Sequence, residues 1–197
     1  MKNDISTKYQ FTDLRAHILP TIAAAQGIED ASDILALLKA SGVDRVVATV
    51  DFYPGRVPYG AYLQMIRRAK ENLAAVRLKS APEVFACAEL ELGGGIEYMH
   101  ELRDFAVSGT ELLMVKLPRK KWDNEVLDTL SALRFAGFNI LLADVGAYQP
   151  EAIEDLFAIG YRGQLDISDI ATFNFRCRKR ALEWIDSGFV VALGTGL

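Results

Sequence analysis

Four residues far apart in the chain, His17, Asp51, Glu89 and Asp144, offer one imidazole and three carboxylates, each at the polar end of a short apolar run. That donor set suits a hard divalent cation. Carboxylate oxygens hold Mg²⁺ or Mn²⁺, one imidazole is compatible with them, and a water on the ion becomes a nucleophile toward a phosphate ester. Arg15, two residues before His17, argues against that reading. A guanidinium stays protonated at any working pH and has no lone pair, so it repels a metal ion instead of ligating it. It can, however, meet Asp51, Glu89 and Asp144 in charge-assisted hydrogen bonds and supply the positive charge itself. Burying three acids with no cation costs several kcal/mol each, so either an ion or the guanidinium is required. The guanidinium is favoured.

Other charged groups suggest binding without chemistry. Tyr53, Pro54, Arg56 and Tyr59 form one polar stretch, and Arg119, Lys120, Lys121 and Trp122 form another. Arginine and lysine recognise phosphate, and a neighbouring aromatic ring adds a stacking face. A phosphorylated or acidic ligand is the class such loops would bind, although ordinary solvated loops have the same composition. Arg176-Cys177-Arg178-Lys179-Arg180 spreads its charges around a helix and reads as solubility. His100, among Glu97, Glu101 and Asp104, reads as solvent-facing, and a lone His17 without partners would read as an ordinary strand-end histidine. Gly93-Gly94-Gly95 fits neither GxGxxG nor a P-loop and is taken as a flexible loop.

The elements that must position these groups alternate. Strand-like runs fall at residues 10–14, 43–52, 84–92, 111–117, 138–145, 164–167 and 189–193, with near-continuous hydrophobicity in Val46-Val47-Ala48-Thr49-Val50 and Ile140-Leu141-Leu142-Ala143. Strands buried on both faces look like this. Helical patterns fall between them at 31–40, 59–78, 99–107, 124–136, 150–159 and 173–187, with Pro150 at a first turn and Gly42, Gly137, Gly160 and Gly188 as stops. A βα series with a period of ~27 residues closes naturally into a parallel barrel. The expectation is an α/β fold, a seven-stranded parallel (β/α)7 barrel related to the TIM barrel, in one domain over residues 1–197. Chemistry should then collect at the C-terminal ends of the strands, which deliver Asp13, Arg15 and His17, then Asp51, Glu89, Lys116, Arg119, Asp144, Asp166, Asp169 and Thr195.

Composition narrows the classes. The net charge of −4 gives no nucleic-acid footprint. The N-terminus lacks the apolar core of a signal peptide, and no run approaches the ~20 apolar residues that span a bilayer, so a cytoplasmic protein without membrane insertion is expected. Cys87 and Cys177 show no CxxC spacing and read as reduced thiols, Cys87 as a small core residue.

Five segments in order carry a resemblance. Asp13-Leu-Arg-Ala-His-Ile-Leu-Pro20 is similar to Asp-Ile-His-Ser-His-Ile-Leu-Pro, and Ala48-Thr-Val-Asp-Phe-Tyr-Pro-Gly-Arg56 to Thr-Pro-His-Phe-Tyr-Pro-Gly-Arg. Ala88-Glu89-Leu90 resembles Ala-Glu-Ile, Leu142-Ala-Asp-Val-Gly-Ala-Tyr148 resembles Ile-Ala-His-Pro-Glu-Arg-Tyr, and Gln164-Leu-Asp-Ile-Ser168 resembles Gln-Ile-Asn-x-Ser. These are motifs of the capsule-type bacterial protein tyrosine phosphatases, a manganese-dependent branch of the polymerase-and-histidinol-phosphatase (PHP) superfamily linked to exopolysaccharide biosynthesis. The resemblance implies a PHP-type barrel and a phosphotyrosine-containing or otherwise phosphorylated ligand. It also implies that His17 and Glu89 keep ligand positions, while Arg15, Asp51, Asp144, Thr195 and Leu197 replace three histidines, an aspartate and a histidine. Ala147 replaces an arginine placed near the phosphate. The expectation is a degenerate PHP-domain protein without family-level catalysis or a cofactor, binding through Arg15, Asp51, Arg56, Arg119 and Asp144. The alternative is a weak or altered phosphoesterase holding Mn²⁺ or Mg²⁺ on His17, Asp51, Glu89 and Asp144.

Overall fold

Residues 46–50 are all buried, and such a run is stable only as a strand covered on both faces. The computed structural model, which describes residues 11–18, 28–75, 81–93, 95–96, 101–119 and 122–196, supplies both covers. The strands are β1 (Phe11–Ala16), β2 (Val43–Phe52), β3 (Glu83–Glu91), β4 (Leu112–Lys116), β5 (Asn139–Leu142), β6 (Arg162–Asp166) and β7 (Val190–Gly194). They form one parallel sheet in sequence order, β1-β2-β3-β4-β5-β6-β7. The sheet curls until β7 lies beside β1, where the Gly196 N–H donates to the Arg15 carbonyl at 3.0 Å. This is the expected seven-stranded α/β barrel, nearly closed.

The covering helices are α1 (Ile28–Ala40), α2 (Tyr59–Ala75), α3 (Asn124–Phe135), α4 (Pro150–Ala158), α5 (Ile167–Ala171) and α6 (Phe175–Asp186). The outward residues of the strands, Val46, Ala48, Val50, Ala88, Leu90, Leu113 and Val115, join Leu35, Leu130, Leu133, Ile153 and Trp184 of the helices in the main core. Each buried Val, Leu or Ile among them contributes roughly 1.5–3 kcal/mol. Gly160 ends α4 at φ +96°, a conformation that costs other residues a steric penalty.

Between β3 and β4 the expected helix over 99–107 is absent from the described residues. A single 3₁₀ turn, Leu102–Asp104, is followed by Phe105, Ala106 and Val107, all buried. Three consecutive buried side chains cannot share one helical face. This segment instead hydrogen-bonds to the middle of β3: the Phe105 carbonyl accepts from the Ala88 N–H at 2.9 Å, and Ser108 Oγ donates to the Ala86 carbonyl at 3.0 Å. Residues 97–100, including His100, lie outside the described set, as do Gly94, Lys120, Lys121 and Leu197. Among the described residues no helix is long and apolar enough to cross a membrane.

Candidate functional site

Strand alternation sorts side chains into two layers inside the barrel. Residues two apart face the same way, so Val47, Thr49 and Asp51 of β2, Cys87 and Glu89 of β3, and Met114 and Lys116 of β4 point inward. Register sets Asp51 against Glu89 and Glu89 against Met114. The lower layer is apolar: Val47, Cys87, Val107, Met114 and Ala143 pack together, and Cys87 Sγ lies 3.6 Å from Met114 Sδ. Cys87 is therefore the core residue its sequence context suggested. The upper layer is polar and opens at the C-terminal end of the strands.

Glu89 sits at the boundary of the two layers with a relative exposure of 0%. With an apolar floor beneath it, its charge must be met by side chains. Arg15 grips it with both arms of the fork: Nε donates to Oε1 at 2.6 Å and Nη2 to Oε2 at 3.3 Å. Lys116 Nζ lies 3.0 Å from Oε2 and also donates to Asp51 Oδ1 at 2.7 Å. Thr49 Oγ1 donates to Oε1 at 3.2 Å, and His17 Nε2 is 2.8 Å from the same oxygen. Burial alone would raise the Glu89 pKa. The hydrogen bonds from His17 and Arg15, and the charges of Arg15 and Lys116, outweigh it and hold the carboxyl well below the usual range. Burial likewise opposes the charged forms of Arg15 and Lys116, and Glu89 with the neighbouring aspartates more than reverses this, raising both.

The remaining acids gather on the opposite wall. Asp166 does two jobs: Oδ1 accepts from the Ser168 N–H at 2.9 Å and caps α5, while Oδ2 lies 3.4 Å from Arg15 Nη1. Asp144 is 4.0 Å from Arg15 Nη2 and adopts a left-handed conformation at φ 53°, its backbone N–H donating to Gln164 Oε1 at 2.9 Å. Burial pushes the Asp144 carboxyl up; Arg15 pulls it back, and Asp166 and Glu89 push it further. Asp169 is raised by burial, with Asp144 and Asp166 adding to it. At the barrel seam Asp13 accepts from the Thr195 N–H at 3.1 Å and from Thr195 Oγ1 at 2.6 Å. Here β7 approaches β1 so closely that a Cβ on Gly194 would stand 2.5 Å from Arg15 Cβ.

The predicted residues thus separate into three places. Arg15, His17 and Glu89 are in direct contact. Asp51 reaches Glu89 through Lys116 and not through Arg15, and its Oδ2 accepts from the Tyr53 hydroxyl at 3.2 Å. Arg56 and Arg119 are exposed on the rim, Arg56 with its guanidinium 5.0 Å over the Tyr53 ring. Arg119 lines a groove with Trp122 and Tyr148, whose rings meet edge to face at 5.8 Å. Tyr148 is anchored by its hydroxyl, which donates to the Leu117 carbonyl at 3.0 Å, and burial pushes its phenol up to about 12. Lys116 and Asp166 were expected at the strand ends but not among the binding or metal residues. For Lys116 the missed signal is alternation: Leu112, Met114 and Lys116 share the face that Glu89 occupies on the neighbouring strand.

Ligand atoms of His17, Asp51 and Glu89 lie within 4.8 Å of one another, a grouping that could hold an ion; Asp144 is not in it. The donors do not fit that use as they stand. Lys116 Nζ occupies the space between Asp51 and Glu89, and each Glu89 oxygen already faces a cationic nitrogen. A metal ion would have to displace the ammonium and share Glu89 with a guanidinium.

Comparison with known proteins agrees on the fold. A solved structure from the work on the metal-dependent tyrosine phosphatases YwqE from Bacillus subtilis and CpsB from Streptococcus pneumoniae superposes with a TM-score of 0.77 at 15% identity, covering 94% of this chain and 78% of that one. The complex of ADAL with IMP superposes with a TM-score of 0.52 at 10% identity, covering 86% of this chain and 60% of that one. No family model and no curated protein matches the chain. The chain thus shares its fold, a nearly closed seven-stranded parallel α/β barrel, with that tyrosine phosphatase structure.

Proposed function

We propose that this protein is a non-catalytic PHP-type barrel in which two fixed cations, Arg15 and Lys116, stand in for metal ions, and that its retained role is to bind a phosphorylated ligand at the rim. One observation carries the first half: fully buried Glu89 has both oxygens engaged by the guanidinium and the ammonium. A side-chain cation cannot polarise a water as a divalent ion does, so the metal-dependent route to ester hydrolysis is closed. The exposed guanidiniums of Arg56, over the Tyr53 ring, and Arg119, in a groove with Trp122 and Tyr148, support the second half. By analogy with the tyrosine phosphatases of similar fold, a phosphotyrosine-containing peptide is the ligand class to try first, and a role in capsule or exopolysaccharide biosynthesis rests on the same analogy.

Mass-spectrometric metal analysis of protein purified without chelators, beside a phosphate-ester assay with added Mn²⁺ or Mg²⁺, tests the first half. Metal-free protein without turnover is expected. The alternative, an altered metal-dependent phosphoesterase, is favoured only by the proximity of His17, Asp51 and Glu89. Stoichiometric metal with turnover that His17→Ala abolishes would establish it. A phosphotyrosine peptide followed by fluorescence anisotropy tests the second half. Binding should weaken with salt and fall in Arg56→Ala and Arg119→Ala.

A further inference from the structure

Two features of the rim have complementary chemistry. The first is the groove between the loops that follow β4 and β5, about 600 Å³ in volume. Trp122, Leu127 and Tyr148 give it an apolar wall, while Asp123, Glu151 and Asp155 set three carboxylates against the single guanidinium of Arg119. None of these three acids is paired with a cation among the described residues.

The second is the start of α6. Phe173 and Phe175 flank Asn174 with relative exposures of 107% and 76%, where an aromatic ring gains nothing by facing water. They are held there by a tight cap: Asn174 Oδ1 accepts from the N–H groups of Arg176 at 3.1 Å and Cys177 at 3.3 Å. Four cations follow, of which Lys179 is paired with Glu183 and Arg180 lies over Trp184, leaving Arg176 and Arg178 to face outward. Solubility accounts for the charges of this run but not for two phenylalanines projecting beside them.

We infer that the chain self-associates, the α6 start of one copy placing Phe175 in the groove of a second copy, with Arg176 and Arg178 meeting Asp123, Glu151 and Asp155. An aromatic anchor in a pocket ringed by opposite charge is the anatomy of an interface hot spot. Both patches lie at the same end of the barrel, in the sectors following β4–β5 and β6. The contact can therefore be reciprocal about a two-fold axis, which closes as a dimer and does not propagate. Neither patch touches Glu89, so the inference is independent of the non-catalytic reading; it shares the Arg119 groove with the proposed ligand site, and sedimentation without any phosphopeptide tests it apart from ligand binding.

Sedimentation velocity of the intact protein over a range of concentrations, at low and high salt, is the test. A reversible dimer that loosens with salt is expected. Phe175→Ala and Asp155→Arg should each raise its dissociation constant about tenfold or more, with melting temperatures unchanged at dilutions where the native protein is monomeric, because both sites are exposed. Pairing Asp155→Arg with Arg178→Glu should restore association. A monomer at every concentration, or a dimer indifferent to Phe175→Ala and Asp155→Arg, would overturn the inference.

Discussion

Replacing Arg15 by methionine keeps the stem that packs beside Gly194 and removes only the charge. In the native site the guanidinium gives Glu89 two hydrogen bonds, at 2.6 and 3.3 Å, and faces Asp166 at 3.4 Å. Breaking a buried pair by removing one partner costs roughly 3–5 kcal/mol. Lys116 at 3.0 Å and His17 at 2.8 Å remain beside Glu89, so the lower end, about 3 kcal/mol, is expected. For a domain of this size that lowers the melting temperature by about 6–12 °C. Because Glu89 is held below the usual carboxylate range, its stabilisation is fully present above its unfolded pKa of about 4.3 and drains away as pH falls toward the folded value. The variant has less of it to lose, so the gap between the two proteins should be widest near neutrality and narrow in acid. Differential scanning calorimetry across pH measures this. The double variant Arg15→Met/Glu89→Met removes both partners and should recover part of the loss, since Asp51 still holds Lys116. An Arg15→Met protein with unchanged melting temperature at neutral pH would refute the assignment of Arg15 as the internal counter-ion.

Asp144→Asn should stabilise the protein at neutral pH. The native carboxyl is raised by burial and by its acidic neighbours, so the fold disfavours its charged form; the gain should vanish below the ordinary carboxylate range, where the native group is protonated in both states. Asparagine also tolerates the left-handed backbone at this position. Gly194→Ala should destabilise by about 1–3 kcal/mol, because its Cβ would meet Arg15 Cβ at the seam; chemical denaturation measures it. Tyr53→Phe removes the hydrogen bond to Asp51 but keeps the ring under Arg56, so phosphopeptide affinity should be nearly unchanged, whereas Tyr53→Ala should weaken it.

The strands were legible because buried parallel strands announce themselves as apolar runs, and Val46–Val50 lies where it was expected. Boundaries failed where a polar end group sets them. β5 was expected to run to 145 but ends at Leu142, since Asp144 turns left-handed to reach the mouth. The 99–107 helix failed because local helical spacing carries no information that Phe105 will hydrogen-bond to β3. Within the site, Arg15 and Glu89 could be paired on charge alone. Lys116 could not be placed that way, because its contacts with Asp51 and Glu89 depend on the register of three strands. The pairing of Asp13 with Thr195, 182 residues apart in sequence, needed the closed barrel to exist first.

The claim that fixed cations occupy the place of a metal is tested most directly by titrating Mn²⁺ into the native protein and into Arg15→His/Lys116→Ala, with binding heat and melting temperature both followed. The native protein should give no saturable heat and no thermal shift. The double variant should bind one ion through His17, Asp51 and Glu89 and gain about 2.7 kcal/mol of stability at an ion concentration of ~100 times the dissociation constant. Saturable Mn²⁺ binding by the native protein, or a folded double variant that binds none, would contradict the account.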